Sequence, residues 1–535
     1  MELYGNRSKR ELTLFNIKVK TAAMEKSEAL KEIAKGGSIV FVGYILLGGF
    51  DFLYKVVVAR YLSPAGYGLL FLGFAVTGFA VTISRLGFAQ AFQKFIPEYR
   101  TKGSPEKVRG LIFLGLTITL IVGLLFTFSV YFLSEKISVT LFGTHELIPV
   151  LRTLSFAVPA YAVTYLFFSL FLSFKKPKEG VFLETVVRAG LTLVLTGIVI
   201  FLGGDLHDVC YVYVLSFVAA AVVGLFILDT RIFPATKKGF HIEYSRIVSF
   251  SVPLIFVGFL REIMHWSDSF FIGHFSGEYY VGLYNAAHPV AYILLLVILS
   301  LNSLFFPVAS ELYTKGNTKD LREVYITLTR WIFMVTFPLF LLLGFFAEDF
   351  LTVLFGANYS PAHNALLILC FGTFVNAFFG AVGVLLQVYE KQNFIFKVQF
   401  MAAVLNVILN TLLIPVYGIE GAACATAASM IFWNVAYFFK VKRILKIQYD
   451  FNYYKRYVCA AFGSLLLVYG IYQLFTQHIV VFAVEVLLFF IVYFFVLLVT
   501  KSFSREDIEL LLLVEKKTGL NLNAVKKVIK MLSKM

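Results

Sequence analysis

The residues of this sequence best placed to do chemistry are charged side chains set inside long apolar stretches. An ionisable group at bilayer depth costs roughly 2.5–3.5 kcal/mol on insertion scales, so it persists where it meets a partner, water or a ligand. Three clusters qualify. Asp51 and Lys55 stand at i, i+4 with the acid first, which puts them on one helix face as a pair. Glu184 and Arg188 repeat that spacing and order. Arg261, His265 and Asp268 fall at i, i+4, i+7 on a single stripe, with Glu262 beside it. Cations so placed can hold an anion through charge-assisted hydrogen bonds, and carboxylates so placed can bind a coupling cation, H+ or Na+. Each cluster also carries its own counter-charge. An intrahelical pair that only lets a marginal segment insert is therefore the competing reading.

Softer features surround these clusters. Arg85, at the inner end of the second apolar stretch, can contact an anionic headgroup or snorkel to the interface. Asn285, His288, Asn302, Asn376, Asn406 and Asn410 lie at membrane depth, where interhelical hydrogen bonds are their usual use. No GxxxxGK[ST] loop, nucleophile elbow or metal-spaced His/Asp cluster occurs, so the sequence points to no catalytic residue, cofactor or metal. The chain reads as a non-enzyme driven by an ion gradient, the membrane potential or its substrate's own gradient. Cys210, Cys370, Cys424 and Cys459 are widely separated, with no CxxC, and read as free thiols.

The elements that must position these groups are membrane-spanning helices. With 59% hydrophobic and 15% charged residues, the chain is built of apolar runs of about 20 residues from end to end. About fourteen are expected, from Ser38–Ala59 to Ile479–Thr500. Among the 47 Lys and Arg residues, Arg60, Lys136 and Arg152 sit in one set of gaps, and Lys55, Arg188 and Arg261 lie inside apolar runs. The rest cluster in or near every second gap and in both tails. Cationic loops stay in the cytoplasm, so the expected protein is a multi-pass cell-membrane protein with both termini cytoplasmic. The net charge of +15 lies in membrane-flanking loops, which suits anionic lipid headgroups and not nucleic acid.

The expected organisation is a basic segment 1–37, an N-lobe 38–228 of spans 1–6, a linker 229–246 and a C-lobe 247–440 of spans 7–12. Spans 13 and 14 follow over 457–500, then a basic amphipathic tail 501–535. Two stretches suggest that the lobes are copies of one another. Arg60–Leu69 aligns with His274–Leu283 at an offset of 214, and Phe174–Lys178 aligns with Tyr389–Asn393 at 215. An even number of spans per copy gives both copies the same orientation, related by an axis along the membrane normal.

Three strings carry a resemblance: Ala59-Arg-Tyr-Leu-Ser-Pro-Ala-Gly-Tyr-Gly-Leu69, Asp268-Ser-Phe-Phe-Ile-Gly-His274 with Val281-Gly-Leu-Tyr-Asn-Ala-Ala287, and Asn406-Val-Ile-Leu-Asn-Thr-Leu-Leu-Ile-Pro-Val-Tyr-Gly-Ile-Glu-Gly-Ala-Ala423. With them, spans 1–12 resemble the polysaccharide-biosynthesis (Wzx-type) flippases, in the larger group of MATE exporters and lipid II flippases. The resemblance implies an all-α, MATE-like fold of two six-helix lobes around a cavity. It also implies alternating access and transfer of a polyprenyl-diphosphate-linked oligosaccharide to the outer leaflet, alongside glycan-assembly enzymes. Lys55, Arg188, Arg261 and Arg85 would then meet the diphosphate. Asp51, Glu184, Glu262, His265 and Asp268 would be charge partners or cation-coupling groups. A cation-coupled exporter of drugs or metabolites is the rival.

Overall fold

The structure, a computed structural model, describes residues 42–234, 239–446, 451–472, 479–500 and 502. The basic segment 1–37 and, apart from Ser502, the tail 501–535 lie outside the described residues. Fourteen helices follow in chain order. They are α1 Val42–Tyr61, α2 Pro64–Thr101, α3 Pro105–Leu141, α4 (Leu147–Ser155 and Ala157–Ser173, bent by 46°), α5 Pro177–Phe201 and α6 Leu206–Ile232. Next come α7 Tyr244–Phe275, α8 Glu278–Thr314, α9 Thr318–Phe345 and α10 Ala357–Phe378. The helical run Gln392–Leu445 breaks at Gly418, whose φ of 56° no ordinary helical residue adopts, and so gives α11 (392–417) and α12 (419–445). Helices α13 Phe451–Tyr472 and α14 Ile479–Val499 complete the set. No strand occurs among the described residues. In hydrocarbon every backbone polar group must be satisfied within its own segment, which leaves helices as the form for runs of this kind.

Local signals fix the helix ends. Ser63 caps α2 by accepting from the Gly66 amide, with Pro64 at the first turn where a missing N–H is harmless. Asp205 and Asp208 form a reciprocal capping box at the start of α6, and Asn317 accepts from the Asp320 amide at the start of α9. Helices α1–α6 form the N-lobe, whose core joins Phe92, Phe167 and Leu228. Helices α7–α12 form the C-lobe, whose core joins Tyr325, Leu385 and Tyr437. Helices α13 and α14 pack on α9, where the Tyr493 hydroxyl donates to the Met334 carbonyl at 2.7 Å.

The lobes meet chiefly where α2 crosses α8 and α7. On the side bearing the cation-rich turns, the start of α7 is tied to the N-lobe. Lys107 pairs with Glu243 at 2.6 Å, Arg246 pairs with Glu98 at 2.8 Å, and the Tyr99 hydroxyl donates to Glu243 at 2.8 Å. The hydrogen bonds from Lys107 and Tyr99 push the Glu243 carboxyl down to about 2. A depressed carboxylate stabilises the fold above its ordinary value and loses that contribution as pH falls through about 2. This tie is therefore expected to be insensitive to pH between about 5 and 8. Glu243→Gln should loosen it at neutral pH, by less than about thirtyfold in population, because its two half-exposed ion pairs, with Lys107 and Arg246, contribute only about 0.2–1 kcal/mol each. Spin labels at Thr101 and Ser249 read the separation. A pH-dependent distance in the wild type across that range would contradict the assignment.

Candidate functional site

The segment Phe182–Gly190 of α5 is π-helical, a one-residue widening of the helix that re-aims the side chains it carries. It presents Glu184 and Arg188 toward α1. Arg188 Nε donates to Glu184 at 2.9 Å, and both terminal nitrogens grip Asp51 at 3.2 Å, so one guanidinium bridges two carboxylates on two helices. The Glu184–Arg188 pair expected from the spacing is present. The Asp51–Lys55 pair is not formed, because the planar Arg188 fork offers Asp51 two parallel bonds where an ammonium offers one. Lys55 instead lies 5.7 Å from the centre of the Phe71 ring.

The span-7 stripe is also divided. Glu262 pairs across the lobes with Arg85 of α2 at 3.5 Å, and Arg85 also bonds Thr82 and covers the Tyr165 ring at 4.1 Å. Arg85 is buried, so it is neither snorkelling nor exposed to headgroups. Arg261 faces the Tyr165 hydroxyl. His265 is surrounded by protein yet keeps an exposed surface, and it lies within electrostatic reach of Lys55, Glu262 and Arg261. Such a combination marks a side chain on the wall of an internal space, here the space between the lobes. With Asp51 taken by Arg188 and Glu262 by Arg85, neither Lys55 nor Arg261 has a carboxylate partner among the described residues.

Asp268 turns away from this stripe into the C-lobe. It is buried, and its carboxylate accepts from Tyr284 and Thr426 hydroxyls at 2.5 Å each and from Asn410 at 2.8 Å. Asn406 joins the cage by accepting from Ser267 at 2.7 Å and donating to Thr426 at 3.2 Å. The Asn410 amide oxygen is buried without a partner. The buried carboxylate is thus held by two hydroxyls and one amide N–H, with no cationic side chain bonded to it among the described residues, and its charge has no neutralising partner there. Asn406 and Asn410 were visible in the sequence as polar residues, whereas Thr426 and Tyr284 carried no signal that set them apart from other hydroxyl residues. Glu485, a lone acid in the apolar α14, is also buried and is legible as a further charge at membrane depth. Asn285 serves as interhelical glue, bonding Ser269 at 2.9 Å.

The opposite, cation-poor side is sealed by a reciprocal contact between the two aligned strings. A Cβ on Gly68 would overlap the Glu278 carbonyl and stand 2.9 Å from the Gly282 nitrogen. A Cβ on Gly282 would overlap the Pro64 carbonyl and stand 3.2 Å from the Gly68 nitrogen. Residues 64 and 278, and 68 and 282, are partners at the offset of 214 read from the sequence, so the crossing is two-fold in kind. The same offset relates Arg60 to His274. Arg60 donates to the Val353 and Leu354 carbonyls at the C-terminus of the helix Ala347–Phe355, at 2.7 Å for Leu354. His274 bonds the Leu141 carbonyl at the end of α3 at 2.6 Å. Each lobe thus places a side chain on the carbonyl-rich end of a helix in the other, where the helix dipole favours positive charge. Tyr359 adds a bond to the Ala59 carbonyl at 2.9 Å.

Twelve helices in two lobes with two more packed on the second lobe, cations without an ion-paired acid between the lobes and a caged acid beside them, define a multi-pass membrane protein of the secondary-transporter class. The sequence model of the polysaccharide biosynthesis protein family matches residues 33–313, and the chain belongs to that family. The MatE model matches residues 253–412. The chain is similar to an uncharacterized membrane protein of Methanocaldococcus jannaschii, 26% identical over 440 residues, covering 78% of this chain and 86% of that one. It is also similar to the probable low-salt glycan biosynthesis flippase Agl15 of Haloferax volcanii, 25% identical over 424 residues, covering 79% of this chain and 86% of that one. In structure it is similar to the lipid II flippase MurJ in an inward closed conformation, with a TM-score of 0.68 and 15% identity over 85% of this chain and 97% of that one. That likeness shows the fold.

Proposed function

We propose that this protein flips a polyprenyl-diphosphate-linked oligosaccharide from the cytoplasmic to the outer leaflet of the cell membrane by alternating access. One observation carries the reading: Lys55 and Arg261 face the inter-lobe space with their neighbouring acids drawn elsewhere. Two cations at membrane depth whose nearby acids, Asp51 and Glu262, are engaged by other arginines are costly unless a further anion joins them, and a diphosphate supplies that charge. Arg188 and Arg85, each held by carboxylates, shape the space. Membership of a polysaccharide biosynthesis family and similarity to a glycan biosynthesis flippase support the same reading. The cation-rich turns and both termini are cytoplasmic, and the sealed side faces out. The Asp268 cage takes the coupling cation, H+ or Na+, and glycan-assembly enzymes supply and consume the substrate.

The test is flipping of a labelled polyprenyl-diphosphate sugar in liposomes. Lys55→Ala with Arg261→Ala is expected to slow it by at least about a hundredfold, since each charge-assisted contact contributes roughly 1.5–3 kcal/mol. An unchanged rate sinks the assignment. The Asp268 cage and the MatE match also suit a cation-coupled exporter of drugs or metabolites. Drug resistance conferred without any effect on glycan assembly would favour that reading.

A further inference from the structure

We propose that the α7–α8 wall of the inter-lobe space is a sugar subsite, taking the pyranose ring attached to the diphosphate, with His265, Trp266, His288 and Tyr292 as its recognition groups. This rests on the flippase reading and adds what the site recognises beyond charge.

The wall starts from a break in α8. Pro289 lies inside the helical segment Glu278–Ala291 and supplies no amide to the Asn285 carbonyl, and the helix is interrupted at Tyr292 before resuming at Ile293. The break falls where two aromatic side chains, His288 and Tyr292, are stacked with ring centres 4.1 Å apart and planes 25° apart. From α7, the His265 ring stands 6.4 Å from His288, nearly perpendicular to it, and Trp266 stands 4.6 Å from His265. Four rings from two helices therefore meet in one cluster, in which His265 turns its ring edge-on to both Trp266 and His288. His265 is exposed and the other three are half-buried, although all lie deep between the lobes.

The polar atoms of this surface are unspent. Among the described residues, neither imidazole nor the Tyr292 hydroxyl has a hydrogen-bond partner, whereas the Trp266 N–H packs on Gly78 of α2 and the indole serves as an apolar face. Groups of this kind inside a protein are normally satisfied, and here the space in front of them must satisfy them. A pyranose offers the matching chemistry, with flat C–H faces for the rings and hydroxyls that both donate and accept for the imidazole nitrogens and the phenol. The wall lies beside the anion-holding group: Lys55 is within electrostatic reach of both His265 and His288. A phosphate on Lys55 puts the sugar bonded to it against the rings.

The experiment uses the full-length protein in nanodiscs and a geranyl diphosphate probe, bare or carrying glucose, N-acetylglucosamine or glucuronic acid. At least one sugar is expected to tighten wild-type binding by about tenfold over the bare diphosphate. Tyr292→Phe, which removes one hydroxyl, and His288→Gln should abolish most of that gain while leaving affinity for the bare probe within about twofold. Lys55→Ala should weaken both probes alike. The subsite is overturned if none of the three sugars adds affinity, or if both wall variants weaken bare and sugar-bearing probes equally. If the bare probe fails to bind and Lys55→Ala changes nothing, while the sugar-dependent gain still vanishes in the wall variants, the subsite stands and the diphosphate assignment falls.

Discussion

Asp268→Asn is expected to uncouple flipping from every imposed cation gradient. The carboxylate is the one formal charge in a cage otherwise made of Tyr284, Thr426, Asn406, Asn410 and Ser267. An amide keeps the volume and removes the charge, so cation affinity should fall by at least about a hundredfold, equivalent to about 2.8 kcal/mol. A ligand shifts a two-state equilibrium only by its differential affinity for the two states, so a cation that no longer binds drives nothing. Rates measured in liposomes under a Na+ gradient, a pH gradient and neither identify the ion and the loss together. A variant that keeps its full gradient response ends the assignment. Thermal stability supplies an independent readout. The wild type should gain stability with rising concentration of the coupling cation, because ligand binding to the folded state adds RT ln(1 + [L]/Kd). Asp268→Asn should be indifferent to it, and more stable than the wild type without cation, since it no longer buries an unpaired charge.

The second large effect is expected at the glycine crossing. Gly68→Val or Gly282→Val places side-chain atoms where the partner helix has backbone, at a contact with no flexible side chain to yield. Relief requires α2 and α8 to separate. Overpacking costs typically about 1–3 kcal/mol, and here it falls on the sealed state alone, shifting population toward a form open on the cation-poor side by about 5–150-fold. The two substitutions act on one crossing, so the double variant should add little to either single one. Electron–electron distances between spin labels at Tyr61 and Ala357, both exposed, should lengthen in each variant. Identical distance distributions in wild type and variants would rule out the seal. Arg60 and His274, which clasp helix ends beside the crossing, should give smaller shifts of the same sign when replaced by Ala.

Much of this architecture was written along the chain because the membrane makes it so. Apolar runs long enough to span hydrocarbon must be helical, and cation-rich turns mark one side, so class, span number and expected orientation follow from one-dimensional pattern. The offset of 214 between Arg60–Leu69 and His274–Leu283 is equally legible, as are the Glu184–Arg188 pair and every charge at membrane depth, Glu485 included. Helix spacing also gave two wrong partners. It paired Asp51 with Lys55 and kept Arg261, Glu262, His265 and Asp268 together, since residues four apart share a face.

Only the tertiary structure decided where those charges go. The π-helical turn in α5 brings Arg188 onto Asp51 from another helix, and a guanidinium held by two carboxylates outcompetes a single ammonium on the same face. Arg85 reaches Glu262 only because α2 and α7 cross between lobes, and Asp268 meets its cage only because α7, α8, α11 and α12 converge on it. Sequence spacing determines which charges share a helix face. Which of them are neutralised depends on contacts between helices more than a hundred residues apart, and those contacts leave Lys55 and Arg261 without an ion-paired acid among the described residues.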